Sequence, residues 1–547
     1  MQSFFQVCEL LDLTFSHLSN QDHYSLLLVS RKTFYSAARI IWKTLKRTSD
    51  LIILIRGARL VPLVRDKVEH VELPTYLDES HFLRFNLYAQ FVRSIHVSHH
   101  SDLPTSNTKH GSSKFAARLD NLLNWQSLLD YAENRVLLPN LADVHSADPD
   151  YQSAASWLYV LLSPSVRRLS ISSGSPRARW PPEAMSRLLD TVSSKAPYLE
   201  FLMVFPEGFT SYSIEKDVNN RTLFARQETF CHSLSGLRNL RTIFGNIAVL
   251  YPSALWSLGQ LPSLNQLRCI SAGGGLLRLK YNDLPSDDMF PSLRNLDVTD
   301  VNRISWIMDL WDVAPLVKRL HHINICISAN LTPEPELGHH WADTLLLHVC
   351  SRSPETSGIS FNFFPTFPPH QEPPLILISP HVLSAFARLS LKHFGLGGAH
   401  FGIGACETLS SIWPNLATLY CPKQSASLLD LANFARNLPN LESLVIDLDM
   451  NSWGIPDYFS TSFVPSPRYE TFRYLSRETL RPCSHTSAQI SALARYLYFL
   501  WPNICCARGW PGFCEVKPSS YNLPEERQAW EELRKLDKCI DQMRSDG

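Results

Sequence analysis

The stretch Leu438-Pro439-Asn440-Leu441-Glu442-Ser443-Leu444-Val445-Ile446-Asp447 decides the fold, because its pattern returns along the chain with the apolar residues at the same offsets. Counted from the proline, the pattern is Pro-x-h-x-x-h-x-h, in which h is an apolar residue. Further copies begin at Pro139, Pro164, Pro197, Pro262, Pro291 and Pro414, and weaker ones at Pro354 and Ser235. The last two apolar residues lie two positions apart, on one face of an extended strand. Each copy therefore predicts one short, one-sided strand.

Amphipathic segments separate these copies. Met185, Leu188 and Val192 recur at helical spacing ahead of Pro197, and proline ends a helix at the residue before it. Prolines 139 and 164, like prolines 414 and 439, are 25 residues apart, within the range of about 20 to 29 residues for leucine-rich repeats. At 547 residues the chain exceeds one ordinary core, whereas a stacked array grows without one centre. We therefore expect an array of strands and helices.

Composition restricts the possible partners and location. Hydrophobic residues make up 45% of the chain and charged residues 19%, which is typical of a folded protein. Lys plus Arg and Asp plus Glu both number 51, so the basic excess typical of nucleic-acid binding is missing and we expect no nucleic-acid partner. The sequence shows no basic leader, no uninterrupted apolar span and no Cys-x-x-Cys pair. We expect no membrane association and a cytoplasmic or nuclear location.

A search for reactive motifs finds no enzyme site. The glycine-rich stretch Gly395-Leu396-Gly397-Gly398-Ala399-His400 has histidine where a dinucleotide fingerprint needs its third glycine. His99-His100 lacks a metal-ligand spacing, and Pro482-Cys483-Ser484-His485 lacks the second cysteine of a zinc deaminase. We predict no catalytic, cofactor-binding or metal-binding residues. An enzyme hidden in the array would require convergent titratable residues that the sequence does not reveal.

Residues 7–45 predict three short helices, too few to complete a core alone. Their phrases occur in the order Val7-Cys8-Glu9-Leu10-Leu11-Asp12-Leu13-Thr14-Phe15-Ser16-His17-Leu18, Leu28-Val29-Ser30-Arg31-Lys32-Thr33-Phe34 and Trp42-Lys43-Thr44-Leu45. This order resembles the F-box, with which one class of ubiquitin-ligase receptor docks on its Skp-family adaptor. Cys8 stands where the family has proline.

The resemblance implies that the chain is the substrate-recognition subunit of an SCF-type E3 ubiquitin ligase. It would bind the adaptor and its cullin ligase complex, select a protein substrate and perform no catalysis itself. We expect the adaptor-binding residues to be partly exposed in the isolated chain: Leu11, Phe15, Leu18, Val29 and Trp42. The alternative is a leucine-rich-repeat interaction scaffold whose N-terminal helices cap the array, without a ligase role.

The array resembles the irregular leucine-rich-repeat solenoids that follow F-boxes in many fungal receptors. The predicted fold is therefore α/β, with a helical module followed by parallel strands on one side and helices on the other. The predicted division is 1–48 for the F-box-like module, 49–115 for a connecting region or degenerate first repeats, 116–510 for the array and 511–547 for a C-terminal loop and capping helix. The apolar runs 51–55 and 91–97 in the second region look like strands.

The repeat predicts two inward rows of buried side chains. The first row is Val166, Leu199, Leu264, Leu293, Leu416 and Leu441, and the second is Leu169, Leu202, Leu267, Leu296, Leu419 and Leu444. Residues between the inward positions should face the opposite side and line up across the strands. From the offsets, that outward row reads Ser170, Met203, Arg241, Arg268, Asp297, Ser360, Tyr420 and Val445, with Ser443 in the row beside it.

One part of this outward surface has the residue types of an interface. We predict that Phe201, Met203, Arg241 and Arg268 bind the substrate, because aromatic, methionine and arginine side chains are enriched at interface cores. The predicted ligand is an acidic or amphipathic segment of a protein. The alternative is that the loop 172–182 covers Phe201 and Met203.

Overall fold

In the computed structural model the described residues are 13–15, 17–46, 48–62, 69–97, 122–133, 135–146, 151–171, 180–205, 221–270, 288–301, 303–329, 340–365, 376–448, 474–475, 487–501, 504 and 524–546. They belong to two compact units. The first comprises residues 1–269 with 289–292, and the second comprises residues 270–288 with 293–547.

Short strands alternate with helices along the chain. The strands are β1 (Thr44–Leu45), β2 (Arg59–Pro62), β3 (Glu69–Glu72), β4 (Ser94–Val97), β5 (Leu122–Leu123), β6 (Asp143–Ser146), β7 (Arg168–Ile171), β8 (Phe201–Val204), β9 (Thr242–Asn246), β10 (Gln266–Ile270), β11 (Asn295–Val301), β12 (His322–Ala329), β13 (Gly358–Pro365), β14 (Ile376–Leu377), β15 (His393–Gly397), β16 (Ala399–His400), β17 (Thr418–Ala426), β18 (Ser443–Leu448) and β19 (Tyr474–Leu475).

The helices are α1 (Asn20–Leu26), α2 (Arg31–Ile41), α3 (Ser49–Ile52), α4 (Leu83–Ala89), α5 (Trp125–Ala132), α6 (Tyr151–Leu161), α7 (Pro182–Lys195), α8 (Arg221–Leu234), α9 (Pro252–Gly259), α10 (Ile304–Trp311), α11 (Ala314–Val317), α12 (Trp341–Arg352), α13 (Pro380–Phe386), α14 (Ala405–Ile412), α15 (Leu428–Asn437), α16 (Ser487–Leu500) and α17 (Pro524–Asp546). Within the described ranges, 3-10 helices occupy Glu79–Phe82 and Ile247–Leu250.

The strands of each unit stack in parallel, as the repeat predicts. In the first unit the order is β1, β4, β6, β7, β8, β9 and β10; in the second it is β11, β12, β13, β15, β17, β18 and β19. Helices that precede neighbouring strands pack on each other, as α7 does on α8 and α14 on α15. The predicted fold is therefore confirmed: N-terminal helices precede an α/β solenoid of the leucine-rich-repeat type.

Both inward rows are buried, which confirms the ladders. Every residue of the two predicted rows is at most 1% exposed. Equivalent residues face each other across neighbouring strands: Leu169 pairs with Leu202, and Leu202 pairs with Ile243. In the second unit the same ladder joins Leu419 to Leu444. Apolar burial along these ladders is thus the main stabilising contribution to each stack.

The repeated proline occupies a tight turn that leads into the strand. In each of several repeats the amide two residues after the proline donates to the carbonyl just before it, as Leu199 N does to Ala196 O at 3.1 Å and Leu441 N to Leu438 O at 3.1 Å. The proline is therefore the second residue of a four-residue turn, where its fixed φ is favourable. Proline both ends the helix and sets the turn.

A backbone relay then joins each repeat to the next. The carbonyl oxygen of the residue before a strand accepts hydrogen bonds from two successive amides of the following repeat. Arg167 O, for example, accepts from Glu200 N at 2.8 Å and from Phe201 N at 3.0 Å. The same arrangement recurs at Lys43, Arg93, Ala142 and Arg241 in the first unit and at Arg294, His321, Ser357, Lys392 and Ala417 in the second. The relay fixes the register of the strands before any side chain is considered.

The beginning of the array differs in part from expectation. The run 51–55, predicted as a strand, forms helix α3 and the turn after it, with Leu51 and Ile52 buried at 3% exposure. A short apolar run fits a buried helix as well as a buried strand, so the pattern alone gave the wrong element. The run 91–97 does contain a strand, β4, which pairs in parallel with β1 and β6.

The predicted C-terminal helix is present. The sequence from Glu525 to Met543 has helical periodicity, with an apolar stripe of Trp530, Leu533, Leu536, Ile540 and Met543. This segment lies within α17, which packs against α16. Leu536 and Ile540, at most 1% exposed, supply the buried stripe in the described part of α17. Met543 of the same stripe is half-buried, and the side chains of Trp530 and Leu533 lie outside the described residues.

The last long strand is closed on both faces. All six residues of β18 are buried, including Ser443 at 7% and Val445 at 1% exposure on the face predicted to be open. The prediction of an accessible outward face is therefore wrong for β18. The offsets of one repeat indicate only which face a side chain takes, and another part of the chain can cover that face.

Candidate functional site

The outward surface of strands β7 to β10 carries a set of neighbouring aromatic, methionine and arginine side chains. We call this set the aromatic face: Arg168, Phe201, Met203, Phe205, Phe244 and Arg268. Strand pairing places Arg168 opposite Phe201 and Ser170 opposite Met203, and Met203 opposite Phe244. The predicted residues Phe201, Met203 and Arg268 thus belong to one surface.

Arg241 does not lie on that surface, and the sequence register was wrong here. Ile243, not Leu240, pairs with Leu202. Phe244 therefore occupies the outward position assigned to Arg241, and Arg241 precedes the strand. The error arose because this repeat lacks the proline: the turn runs from Leu237 to Leu240, three residues later than a start at Ser235 implies.

Arg168 covers one edge of the aromatic face. Its guanidinium carbon lies 4.7 Å from the centre of the Phe201 ring, within the range of a cation–π contact. The Arg168 Nε atom is also 3.7 Å from Asp143 Oδ1. The hydroxyl of Ser170 donates to Met203 Sδ at 3.1 Å. These contacts hold Phe201 and Met203 in defined positions.

Phe244 forms the second half of the face. The guanidinium carbon of Arg268 lies 5.0 Å from the Phe244 ring centre. Phe205 meets the same ring edge-on, with the centres 5.5 Å apart, an orientation that the ring quadrupoles favour. Phe201, Met203, Phe205 and Phe244 remain half-buried, whereas Arg268 is exposed. The apolar side chains are therefore not fully covered. Of the predicted covering loop 172–182, residues 172–179 lie outside the described residues.

The N-terminal module has a small core of its own. Phe15 is only 4% exposed and packs with Ala37, Leu26, Leu27 and Ile40. The expectation that Phe15 is partly exposed is therefore wrong, because its ring fills the space between these short helices. Mutating Phe15 would unfold the module rather than probe a surface.

Other predicted adaptor-binding residues remain accessible. Val29 is 68% exposed and Leu18 is 36% exposed, and Leu28 beside Val29 reaches 89%. Trp42 is half-buried, with its ring centre 4.6 Å from that of Tyr88 on α4. Leu11 lies outside the described residues. An exposed apolar pair, Leu28 and Val29, thus lies just before α2, which begins with a capping box at Ser30.

The titratable groups of the described residues do not converge on a reactive site. No three His, Cys, Asp or Glu side chains in the described ranges lie close enough together to hold a metal ion. Burial raises the pKa of the thiol of Cys231 to about 11 and the pKa values of Cys350 and Cys406 to about 12. These thiols are suited to packing and not to nucleophilic chemistry.

These pKa values predict slow alkylation of the folded chain. At pH 8 the thiolate fraction of Cys231, Cys350 and Cys406 falls about a hundredfold or more below that of an unperturbed thiol, and thiolate is the reactive form. Iodoacetamide labelling followed by peptide mass spectrometry should therefore modify half-buried Cys539 before Cys231, Cys350 and Cys406. Urea should abolish the difference, and equal rates in the folded chain would contradict the burial described above.

Comparisons with known proteins identify neither a family nor a relative. No family model matches the chain, and no curated protein matches it. Solved structures with partial similarity include the leucine-rich-repeat-containing protein LegL7 from Legionella pneumophila, at 12% identity and TM-score 0.30, covering 71% of this chain and 94% of that chain. A Bacteroides fragilis protein has 13% identity and TM-score 0.29, covering 49% and 68%. The fold assignment rests on the strand pairing and not on these similarities.

None of the helices in the described part of the chain combines the length and the apolarity that crossing a bilayer demands.

Proposed function

We propose that this chain is a protein-interaction scaffold that binds another protein through its aromatic face. The observation that carries the proposal is the cluster of half-buried Phe201, Met203 and Phe244 beside two arginines. Exposed aromatic and methionine side chains in contact with arginine are enriched at the centres of protein interfaces.

The rigidity of the array supports this role. The aromatic side chains project from paired strands, whose register is fixed by the backbone relay and by the buried ladder below. Side chains that are already ordered lose less conformational entropy on binding than flexible ones. The face is therefore suited to specific recognition of a protein surface.

We further propose that the N-terminal module binds a Skp-family adaptor, which would make the chain the substrate-recognition subunit of an SCF-type ubiquitin ligase in the cytoplasm or nucleus. The support is the F-box-like order of phrases together with the exposed Leu18, Leu28 and Val29. Because Phe15 is buried in the core of the module, the exposed residues Leu18, Leu28 and Val29 would make the contact with the adaptor. Catalysis would belong to other subunits, and this chain would raise the effective concentration of substrate.

Affinity purification of the tagged full-length chain, with quantitative mass spectrometry, tests both parts. F201S/M203S/F244S should reduce recovery of its specific partner at least tenfold, because aromatic anchors account for most of the energy of such interfaces. L18D/V29D should leave that partner bound and abolish binding of a purified Skp-family adaptor.

The outcomes separate the two functions. Failure of the wild-type chain to bind the adaptor would remove the ligase role and leave the capped scaffold, the alternative that the sequence also allows. Adaptor binding that survives L18D/V29D would exclude Leu18 and Val29 as the docking surface. Unchanged recovery of every partner by F201S/M203S/F244S would exclude the aromatic face as the recognition surface. Circular dichroism of each variant verifies that the array remains folded.

A further inference from the structure

A second surface of the first unit lies where its strands begin. The backbone relay aligns the residues immediately before the strands, one from each repeat, in a single row. From β4 to β10 this row reads Arg93, Ala142, Arg167, Glu200, Arg241 and Asn265. The arginines therefore occur on alternate strands, β4, β7 and β9, with one intervening strand between each pair.

The row carries an excess of positive charge. Arg93, Arg167 and Arg241 are exposed, and Glu200 is half-buried. Three positive charges and one negative charge give a net +2, in a chain whose formal net charge is zero. The row is therefore a local basic feature and not the consequence of a basic chain.

Two of these arginines have no carboxylate partner among the described residues. Arg93 Nη1 donates to Asn140 O at 3.3 Å, and Arg167 Nη1 donates to Tyr198 O at 3.0 Å. Both side chains lean in the same direction over the turn of a following repeat, so their spacing follows that of the strands. Carbonyl contacts orient a guanidinium and leave its charge uncompensated. Arg241 differs, with its Nε atom 3.8 Å from Glu200 Oε2.

The spacing of the row matches a particular backbone conformation. Neighbouring strands lie about 4.8 Å apart, so residues on alternate strands are about 9.6 Å apart. A polyproline II helix rises about 3.1 Å per residue with three residues per turn, so every third side chain points the same way and lies about 9.3 Å further on. A carboxylate at every third residue of such a segment would lie opposite the backbone positions of the three arginines in turn. Arg167 and Arg241 both lean toward the β8 repeat in the free chain, so Arg241 would have to turn away from Glu200 to meet its carboxylate.

We propose that this arginine row binds an acidic polyproline II segment of a protein partner, with Asp or Glu at every third position. The inference rests on the proposed protein-binding role and specifies the class of ligand. Glu200, between Arg167 and Arg241, repels a carboxylate placed out of register and so disfavours uniformly acidic segments. Single-stranded nucleic acid is disfavoured because it carries a negative charge on every nucleotide, and so places charges opposite Glu200 as well as opposite the arginines.

Fluorescence anisotropy with the full-length chain tests this proposal. The probe is a labelled peptide of repeated Glu-Pro-Ala units, compared with a peptide of the same composition in which the glutamates are contiguous. We expect the periodic peptide to bind at least fivefold more tightly, and its binding to weaken as the salt concentration rises. Equal affinity for the two peptides, or stronger binding of an oligothymidylate, would overturn the proposal.

Two matched triple variants distinguish binding by the arginine row from a general effect of positive charge on the first unit. R93Q/R167Q/R241Q should weaken binding of the periodic peptide about tenfold or more, at roughly two- to fivefold per exposed ion pair. R56Q/R84Q/R187Q removes the same charge from other exposed positions of the first unit and should change binding less than twofold. Equal losses in both variants would overturn the proposal.

The aromatic face provides the remaining control. F201S/M203S/F244S should leave binding of the periodic peptide unchanged, because these residues lie outside the row. If the peptide fails to bind wild type while the partner still depends on the aromatic face, this inference is wrong and the proposed function stands. If the peptide binds and recovery of the partner does not depend on the aromatic face, the arginine row stands as a ligand site and the proposed role of the aromatic face is wrong.

Discussion

Replacing Leu202 by alanine is expected to destabilise the first unit by about 2–5 kcal/mol, the cost of removing a buried leucine and leaving a cavity. Leu202 is 0% exposed and pairs in register with Leu169 on one side and Ile243 on the other. Its side chain therefore contacts both neighbouring repeats, and the relay of backbone hydrogen bonds limits how far the strands can move into the cavity. Urea unfolding followed by circular dichroism measures the loss.

Met203→Ala is the matched control for Leu202→Ala. Met203 is the next residue of the same strand but faces outward and is half-buried, so its truncation should cost less than about 1.5 kcal/mol. Equal effects of the two substitutions would contradict the assignment of inward and outward faces.

Gly398→Ala should be more damaging than an ordinary glycine substitution, with an expected cost of at least about 3 kcal/mol. Gly398 has φ +73°, where a Cβ atom costs roughly 1–2 kcal/mol. A Cβ atom there would also lie 1.9 Å from the carbonyl oxygen of Phe363. Because that oxygen belongs to backbone, the collision requires strand β13 to move.

Gly404→Ala isolates the conformational part of this effect. Gly404 has φ +82° and nothing within 4 Å of a Cβ atom, so only the backbone strain remains. We expect about 1–2 kcal/mol for Gly404→Ala and a clearly larger loss for Gly398→Ala in the same urea titration. Similar losses would show that the contact with Phe363 is relieved without cost.

The sequence predicted the inward ladder because its evidence is local and repeated. Each copy places an apolar residue, in most copies leucine, at the same offsets, and one wrong copy cannot shift the others. The helices and the stacking of parallel strands followed from the same repetition. Where the repeat lost its proline, before Leu240, the register shifted by three residues and the outward residue became Phe244 in place of Arg241.

Exposure was harder to predict, because it depends on contacts distant in sequence. Phe15 shares its helical face with Leu18, yet Phe15 is buried against Ala37 whereas Leu18 is 36% exposed. Val445 has the offset of an outward residue and is nevertheless 1% exposed. A periodic pattern specifies the direction of a side chain but not what covers it.

The arginine row could not be recognised from the repeat alone. Arg93, Arg167 and Arg241 are each 74 residues apart, but the row position between each pair falls at a different distance, 49 residues after Arg93 at Ala142 and 33 residues after Arg167 at Glu200, so no single repeat period in the sequence relates the positions of the row. The backbone relay shows that the three arginines occupy equivalent positions. In it, Arg167 O accepts hydrogen bonds from the amides of Glu200 and Phe201. Alignment of the repeats by strand pairing supplies the missing information.

Hydroxyl-radical footprinting of the complex with its co-purified protein partner tests the central claim most directly. Met203 is half-buried and carries an oxidisable thioether, while exposed Trp256 on α9 serves as an internal control. Binding through the aromatic face should slow oxidation of Met203, Phe201 and Phe244 about fivefold or more and leave Trp256 unchanged. Oxidation of Met203 at the same rate in the free chain and in the complex would contradict the account.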